Sequence, residues 1–212
     1  MPSPGLGRPR RPGVLLDRDG TLIDFHRDAE LGAVSSAFHP DQLRLLPGVL
    51  DGLRAFAEAG WVIAIATNQP GAAKGQFPRE AIERTNRALV DLLAAAGIPI
   101  AAVAACLHHP EGGPGGDASL VGPCDCRKPA PGLLAGLVAE LDLDPATTSM
   151  IGDTAADVEA AHRAGLRAAL LHDPRRCELC PLRDGALPGS PACAPDLAAP
   201  RFDTLARRIL TS

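Results

Sequence analysis

The run Leu15-Leu16-Asp17-Arg18-Asp19-Gly20-Thr21, entered through the apolar approach Gly13-Val14, decides how this chain folds. Residues i and i+2 of an extended strand point to the same side. Asp17 and Asp19 therefore face a common site where the strand ends. Ligands of open parallel sheets bind at that edge. Two carboxylates there can hold a hard cation while one serves as nucleophile and the other as proton carrier. Aspartates are also common in ordinary turns, so the rest of the chain must supply partners for this pair.

Outward from that run, apolar stretches alternate with helical periods. Residues 14–16 read as a strand. Residues 49–59 carry helical spacing and stop at Gly60, a residue suited to the position after a helix. There follow a strand over 61–66, a helix over 79–96, a strand over 98–105, a helix over 133–141 and a short strand over 149–151. A helix over 155–164, a strand over 166–171 and a last helix over 202–210 complete the series. Helices set between buried strands predict an α/β fold, a Rossmann-like, doubly wound parallel sheet with helices on both faces.

Two stretches break the alternation. Residues 108–129 contain Gly112, Gly113, Gly115 and Gly116 with almost no apolar period, and a loop of that length is functional or disordered. Residues 173–200 are rich in Pro, Gly and Ala, carry three cysteines, and read as a variable surface excursion.

With 212 residues, the chain fits one domain over 13–212 behind a flexible tail over 1–12. Hydrophobic residues make up 46% but aromatics only 3%, so small aliphatic side chains must fill the interior. The net charge of −4 implies no general nucleic-acid-binding surface. The tail lacks a signal-peptide stretch, and no segment is long and apolar enough to span a membrane. A cytoplasmic monomer acting on a small molecule is expected. In that compartment the six cysteines are thiols or metal ligands rather than a disulfide framework.

Each predicted strand ends in polar residues. The first delivers Asp17 and Asp19, the second Thr67-Asn68-Gln69, and the strand at 149–151 delivers Gly152-Asp153 with Asp157 four residues on. Arg127-Lys128-Pro129 follows the glycine-rich loop. In isolation these read as a helix N-cap, a strand-end turn and a solvated cation. Together they are what an active site at one sheet edge requires.

Their order and identity resemble the haloacid dehalogenase (HAD) superfamily of phosphohydrolases over nearly all of residues 13–171. Motif one is Asp17-Arg18-Asp19-Gly20-Thr21, motif two Thr67, motif three Lys128, and motif four Gly152-Asp153 with Asp157. The resemblance implies Mg²⁺ on Asp17, Asp153 and the backbone carbonyl of Asp19. It implies Asp17 as nucleophile, forming an aspartyl phosphate, and Asp19 as acid and then base. Thr67 and Lys128 are the expected partners of the phosphoryl oxygens, and Asp157 a supporting residue that orients the acidic cluster.

Cys106-Leu107-His108 closes the third strand, and Cys124-Asp125-Cys126 ends the glycine-rich loop. Three thiols and one imidazole suit a closed tetrahedral Zn²⁺ site. Such a clip would tie down a loop with no core of its own and deliver Lys128. The imidazole is His108 or its neighbour His109. A second set, His172, Cys177, Cys180 and Cys193, contains only one tight pair and reads better as surface thiols.

The zinc-loop motif Cys106-Leu107-His108-His109-Pro110 with Cys124-Asp125-Cys126-Arg127-Lys128-Pro129 resembles the heptose-bisphosphate and histidinol-phosphate phosphatase group of that superfamily. The group's CxH-and-CxC pattern favours His108 as the fourth ligand. The stretch from Thr67 through Asn68-Gln69-Pro70-Gly71 to Phe77 is similar to the heptose branch. The resemblance implies no large cap domain, and Asn68, Gln69 and Arg127 as substrate-binding residues. It implies hydrolysis of a small phosphorylated sugar, D-glycero-D-manno-heptose 1,7-bisphosphate at its 7-phosphate, with histidinol phosphate as the alternative substrate. A catalytically silent zinc-containing interaction module is the reading from another class. Three positions depart from the group. Thr154 stands where a Lys or Arg usual to the heptose enzymes would follow the motif-four aspartate. Residues 25–40 lack a short aromatic-Gly loop, and His172-Asp173-Pro174 replaces a basic-Thr-Gly ending.

Overall fold

Residues 10–30, 32–173 and 194–212 are described in a computed structural model of the chain. Cys177, Cys180, Cys193 and positions 1–9 lie outside the described residues.

The apolar run at the start forms β1 (Gly13–Leu16), and its four residues are buried. It lies between β4 (Val62–Asn68) and β6 (Ser149–Gly152), both parallel to it. The sheet continues outward to β5 (Ala102–Cys106) on one side, and to β7 (Arg167–Leu171) and β8 (Leu197–Ala199) on the other. All five pairings are parallel, in the order β5-β4-β1-β6-β7-β8.

Side-chain alternation along β1 sorts the two cores. Val14 and Leu16 join Ile63 and Ile65 under helices α1 (Val49–Glu58), α2 (Arg79–Ala95) and α5 (Phe202–Leu210). Leu15 joins Ala64, Ala66 and Met150 on the opposite face, under α3 (Gly132–Glu140) and α4 (Ala155–Arg163). Helix α1 buries Val49, Leu53 and Phe56 at i, i+4 and i+7, and α5 buries Phe202, Leu205, Ala206 and Ile209. The two lie against each other where Gly52 meets the Phe202 ring.

Several boundaries differ from the sequence expectation. The third strand begins at Ala102 rather than at residue 98. Pro99 has no N–H to give a ladder, and Ile98 instead closes the end of α2 by donating to the Leu93 carbonyl at 3.0 Å. Residues 25–40 contain an antiparallel pair, β2 (His26–Asp28) and β3 (Ala33–Ser35). Part of the expected surface excursion is the edge strand β8. The last two residues of the expected tail are tied to the fold: the carbonyls of Arg11 and Pro12 accept from the N–H groups of Asp144 and Val62. Among the described residues, only the short β2–β3 pair and a single 3-10 turn stand between β1 and α1, and no large cap domain interrupts the sheet. No described helix is long and apolar enough to cross a membrane.

Candidate active site and metal clip

Register places the acidic residues together. Leu16 pairs with Ile151 of β6 and Ile65 of β4, and Asp17 N–H donates to the Ile151 carbonyl at 2.9 Å. Asp17, one residue on, and Thr67 and Asp153, two residues on from Ile65 and Ile151, therefore emerge close together at the C-terminal sheet edge. With Asp19, Phe25, Ser36, Asn68, Lys128, Thr154 and Asp157 they line a cavity of about 170 Å³. Gly20 makes the approach possible. Its φ is +83°, and a Cβ there would sit 2.2 Å from Asp153 Oδ2.

Lys128 is the positive centre. Its Nζ reaches Asp17 Oδ1 at 2.8 Å, Asp157 Oδ1 at 2.6 Å and the Ala66 carbonyl at 2.7 Å. The contacts to Asp17 and Ala66 are hydrogen bonds, and the one to Asp157 is an ion pair. Its backbone is clamped by the Asn68 amide, which donates to the Lys128 carbonyl at 3.0 Å and accepts from its N–H at 3.1 Å. Burial acts to lower the Lys128 pKa, but the Asp157 and Asp17 carboxylates outweigh it and raise the group above its usual range. Asp157 also accepts from the N–H and hydroxyl of Thr154.

Three carboxylates surround that one cation. Oxygens of Asp17, Asp153 and Asp157 lie within 4.8 Å of one another. Burial pushes the Asp17 carboxyl up to about 6, with Lys128 opposing. Burial first, then the Asp17 and Asp157 carboxylates, push Asp153 well above the ordinary range. Asp153 Oδ1 is buried without a hydrogen-bond partner. An orphan carboxylate oxygen in a net-negative pocket fits a small hard dication.

Asp19 does not enter that trio. Its carboxylate accepts from Arg18, from Gln69 at 2.6 Å and from the Ala37 N–H at 3.1 Å. Gln69, expected to bind substrate, is 1% exposed, and its amide meets Asp19, Thr67 and Arg18. Thr67 accepts from Gln69 at 3.0 Å, which leaves its own hydroxyl hydrogen available to a ligand. Arg127 donates to the His108 carbonyl at 3.3 Å and does not line the small cavity.

The second cluster begins one strand away, because Cys106 pairs with Asn68 across β4 and β5. Cys106 Sγ, His108 Nδ1, Cys124 Sγ and Cys126 Sγ lie mutually within 4.8 Å. Cys106 is 3.8 Å from both His108 Nδ1 and Cys124 Sγ. Sulfurs bound at about 2.3 Å to a tetrahedral Zn²⁺ would stand roughly 3.8 Å apart; the Cys106–Cys124 pair has that spacing, while Cys126 Sγ stands closer, 3.1 Å from Cys106 Sγ and 3.4 Å from His108 Nδ1, in a donor set that could hold a metal ion. Burial pushes the Cys106 and Cys126 thiols up, and a cation among them would favour the thiolates. His109 faces elsewhere: its Nδ1 accepts from the N–H groups of Gly112 and Glu111.

The glycine-rich loop has a small core of its own, contrary to expectation. Leu120 packs with Ala72, Ala73 and Ile82, flanked by Phe77 and Leu107. Gly116 lies against the backbone at Ala73, where a Cβ would be 2.0 Å from the carbonyl oxygen. The glycines serve close backbone packing.

Arg18, Asn86, Phe25 and Ser36 escaped the sequence reading. Arg18 carried a usable signal. A guanidinium set between two carboxylates at the end of a buried strand must find polar partners.

The chain is similar to known proteins. A HAD-hydrolase-like family profile matches residues 125–175. The D-glycero-beta-D-manno-heptose-1,7-bisphosphate 7-phosphatase of Rhodopseudomonas palustris is 37% identical over 158 residues, which are 74% of this chain and 82% of that one. The enzyme of the same name from Escherichia coli K12 is 32% identical over 160 residues, 76% of this chain and 78% of that one. A crystal structure of D,D-heptose 1,7-bisphosphate phosphatase from B. bronchiseptica, complexed with magnesium and phosphate, superposes with a TM-score of 0.71. It is 27% identical, and the match covers 94% of this chain and 98% of that one.

Proposed function

Because the chain belongs to the heptose-1,7-bisphosphate 7-phosphatase family of HAD-like phosphoric monoester hydrolases, we propose that it hydrolyses D-glycero-D-manno-heptose 1,7-bisphosphate at the 7-phosphate. The observation that carries the chemistry is the buried trio Asp17, Asp153 and Asp157 around the single Lys128 ammonium, with one Asp153 oxygen unpartnered.

In the proposed reaction an Asp17 carboxylate oxygen attacks phosphorus, and the phosphorus–oxygen bond to the sugar breaks. Asp17, raised to about 6, is largely ionised at neutral pH, and Lys128 at 2.8 Å orients it. Asp19 gives its proton to the departing sugar oxygen, then takes one from the water that attacks the aspartyl phosphate. Inorganic phosphate leaves and both aspartates are restored. The Thr67 hydroxyl donates to a phosphoryl oxygen, and Lys128 stabilises charge that develops there. Mg²⁺ bound by Asp17, Asp153 and the Asp19 carbonyl would supply the positive charge that offsets repulsion between phosphate and nucleophile. Zn²⁺ bound by Cys106, His108, Cys124 and Cys126 would supply a rigid crosslink two residues before Lys128. The proposal includes action as a cytoplasmic monomer, a compartment in which three clustered thiols stay reduced.

The test is phosphate release with added Mg²⁺ from heptose 1,7-bisphosphate and from histidinol phosphate. The bisphosphate is expected to be the better substrate by kcat/KM. Faster turnover of histidinol phosphate would reassign the substrate, and no Mg²⁺-dependent release from either would end the hydrolytic reading.

A further inference from the structure

Arg18 is the largest side chain with essentially no solvent exposure among the described residues. It lies wholly outside the phosphate-facing cavity, yet every polar atom of its guanidinium is engaged. Nε donates to Asp19 Oδ2 at 3.0 Å, and Nη2 approaches Oδ1 at 3.3 Å and Oδ2 at 2.9 Å. Nη1 donates to Asn86 Oδ1 on α2 at 2.6 Å, and Nη2 also to the Ala37 carbonyl and to Gln69 Oε1. Gln69 in turn donates to Asp19 Oδ2, and the Ala37 N–H to Oδ1. The Asp19 carboxylate is thus gripped by four donors on two oxygens, and it cannot rotate about its last bond without breaking them. No other carboxylate of the site meets four donors; Asp157 has three contacts, from the N–H and hydroxyl of Thr154 and from Lys128. Asp153 has an orphan oxygen, and Asp17 meets only Lys128.

We propose that Arg18, with Gln69 and Asn86 behind it, is a positioning residue that fixes the Asp19 carboxylate for proton transfer to the leaving alcohol. The inference rests on the proposed role of Asp19. Its counterpart is that Arg18 merely neutralises a buried charge, and the leaving group separates the two. An alkyl alcohol needs the proton as its bond breaks, whereas 4-nitrophenolate leaves without one.

The experiment compares kcat/KM, which reports bond cleavage to the ester oxygen, for heptose 1,7-bisphosphate and for 4-nitrophenyl phosphate. It uses the Mg²⁺- and Zn²⁺-loaded wild type, Arg18→Lys, Asp19→Asn and the double variant. Arg18→Lys should lose about tenfold or more on the sugar phosphate and less than about threefold on the aryl ester. In the Asp19→Asn background it should add little on the sugar phosphate, since the two residues act as one unit. Should Arg18→Lys not fold, Asn86→Ala removes one anchor of the guanidinium and leaves the ion pair in place. It should show a smaller loss biased the same way. Equal losses on both esters, or additive losses in the double variant, would overturn the role of Arg18. A wild type inactive on both esters would overturn the underlying reading of the site and this role with it.

Discussion

Replacing Lys128 by methionine removes the one ammonium that faces three buried carboxylates. The side chain is 2% exposed, and its Nζ carries contacts of 2.6, 2.7 and 2.8 Å to Asp157, Ala66 and Asp17. Methionine fills much of the space, so the change is mainly electrostatic. Breaking a buried pair and stranding its partner costs about 3–5 kcal/mol. For a chain of this size that lowers Tm by about 6–20 °C. The pH dependence gives a sharper signature. Burial already raises Asp17 from 3.8 to about 6. A carboxyl raised on folding contributes stability that is present below its unfolded pKa and lost as pH climbs through the folded one. Wild type without metal sheds that contribution between pH 3.8 and about 6. The variant, lacking the opposing cation, sheds more of it and over a higher range. Denaturant melts in chelator should therefore show a deficit that grows from about pH 5 to about pH 8. Added Mg²⁺ should narrow the deficit at the higher pH, while phosphatase activity stays lost. A deficit equal at both pH values, or a Tm change under about 3 °C, would refute the picture of Lys128 as the counter-charge of a buried acidic trio.

Other outcomes follow from the same contacts. Asp17→Asn should lower turnover by about a thousandfold or more, yet leave the metal-free Tm unchanged or higher because one carboxylate leaves the trio; near-normal turnover would exclude Asp17 as nucleophile. Cys124→Ser should drop bound zinc, read by atomic emission, from about one ion per chain toward none, and full zinc in the variant would remove Cys124 from the ligand set. Gly52→Ala would place a Cβ 2.6 Å from the Phe202 ring and 3.1 Å from Ala206 Cβ. Overpacking of about 1–3 kcal/mol opposes a helix-propensity gain of about 1 kcal/mol, so calorimetry should show a lower Tm with kcat unchanged; a higher Tm would mean that α1 and α5 part freely.

The sheet was legible where burial on both faces leaves no choice of residue. Val14, Leu15 and Leu16, and the run from Val62 to Ala66, are apolar at every position because each side chain meets a helix on one face or the other. The hairpin β2–β3 was not, because His26-Arg27-Asp28 has no apolar alternation and the strand is held by its pairing with β3. Strand β8 escaped for a similar reason. Leu197-Ala198-Ala199 is three residues long in a Pro- and Ala-rich stretch, and only its place beside β7 makes it a strand. In the third strand the apolar content was right and Pro99 moved the boundary, a signal present in the sequence and outweighed there by hydrophobicity.

The site divides along the same physical line. Asp17, Asp153 and Lys128 could be placed because each follows a strand or loop whose end is dictated locally, and parallel register then brings those ends to one edge. Asn68 and Gln69 follow the same strand, yet what each side chain touches depends on groups 60 and 50 residues away. Strand geometry says which way such a side chain starts out, and only the packed structure says whether it ends in solvent. Asn68 turns to the Lys128 backbone and Gln69 to the Asp19 carboxylate, contacts that no local pattern announces. The Thr154 substitution acquires a meaning on the same grounds. Its hydroxyl and N–H both reach Asp157 Oδ2, which leaves Asp157 Oδ1 directed at Lys128. A basic residue at that position would add charge to the cavity wall. Threonine instead caps α4 and steadies the carboxylate on which the single buried ammonium depends.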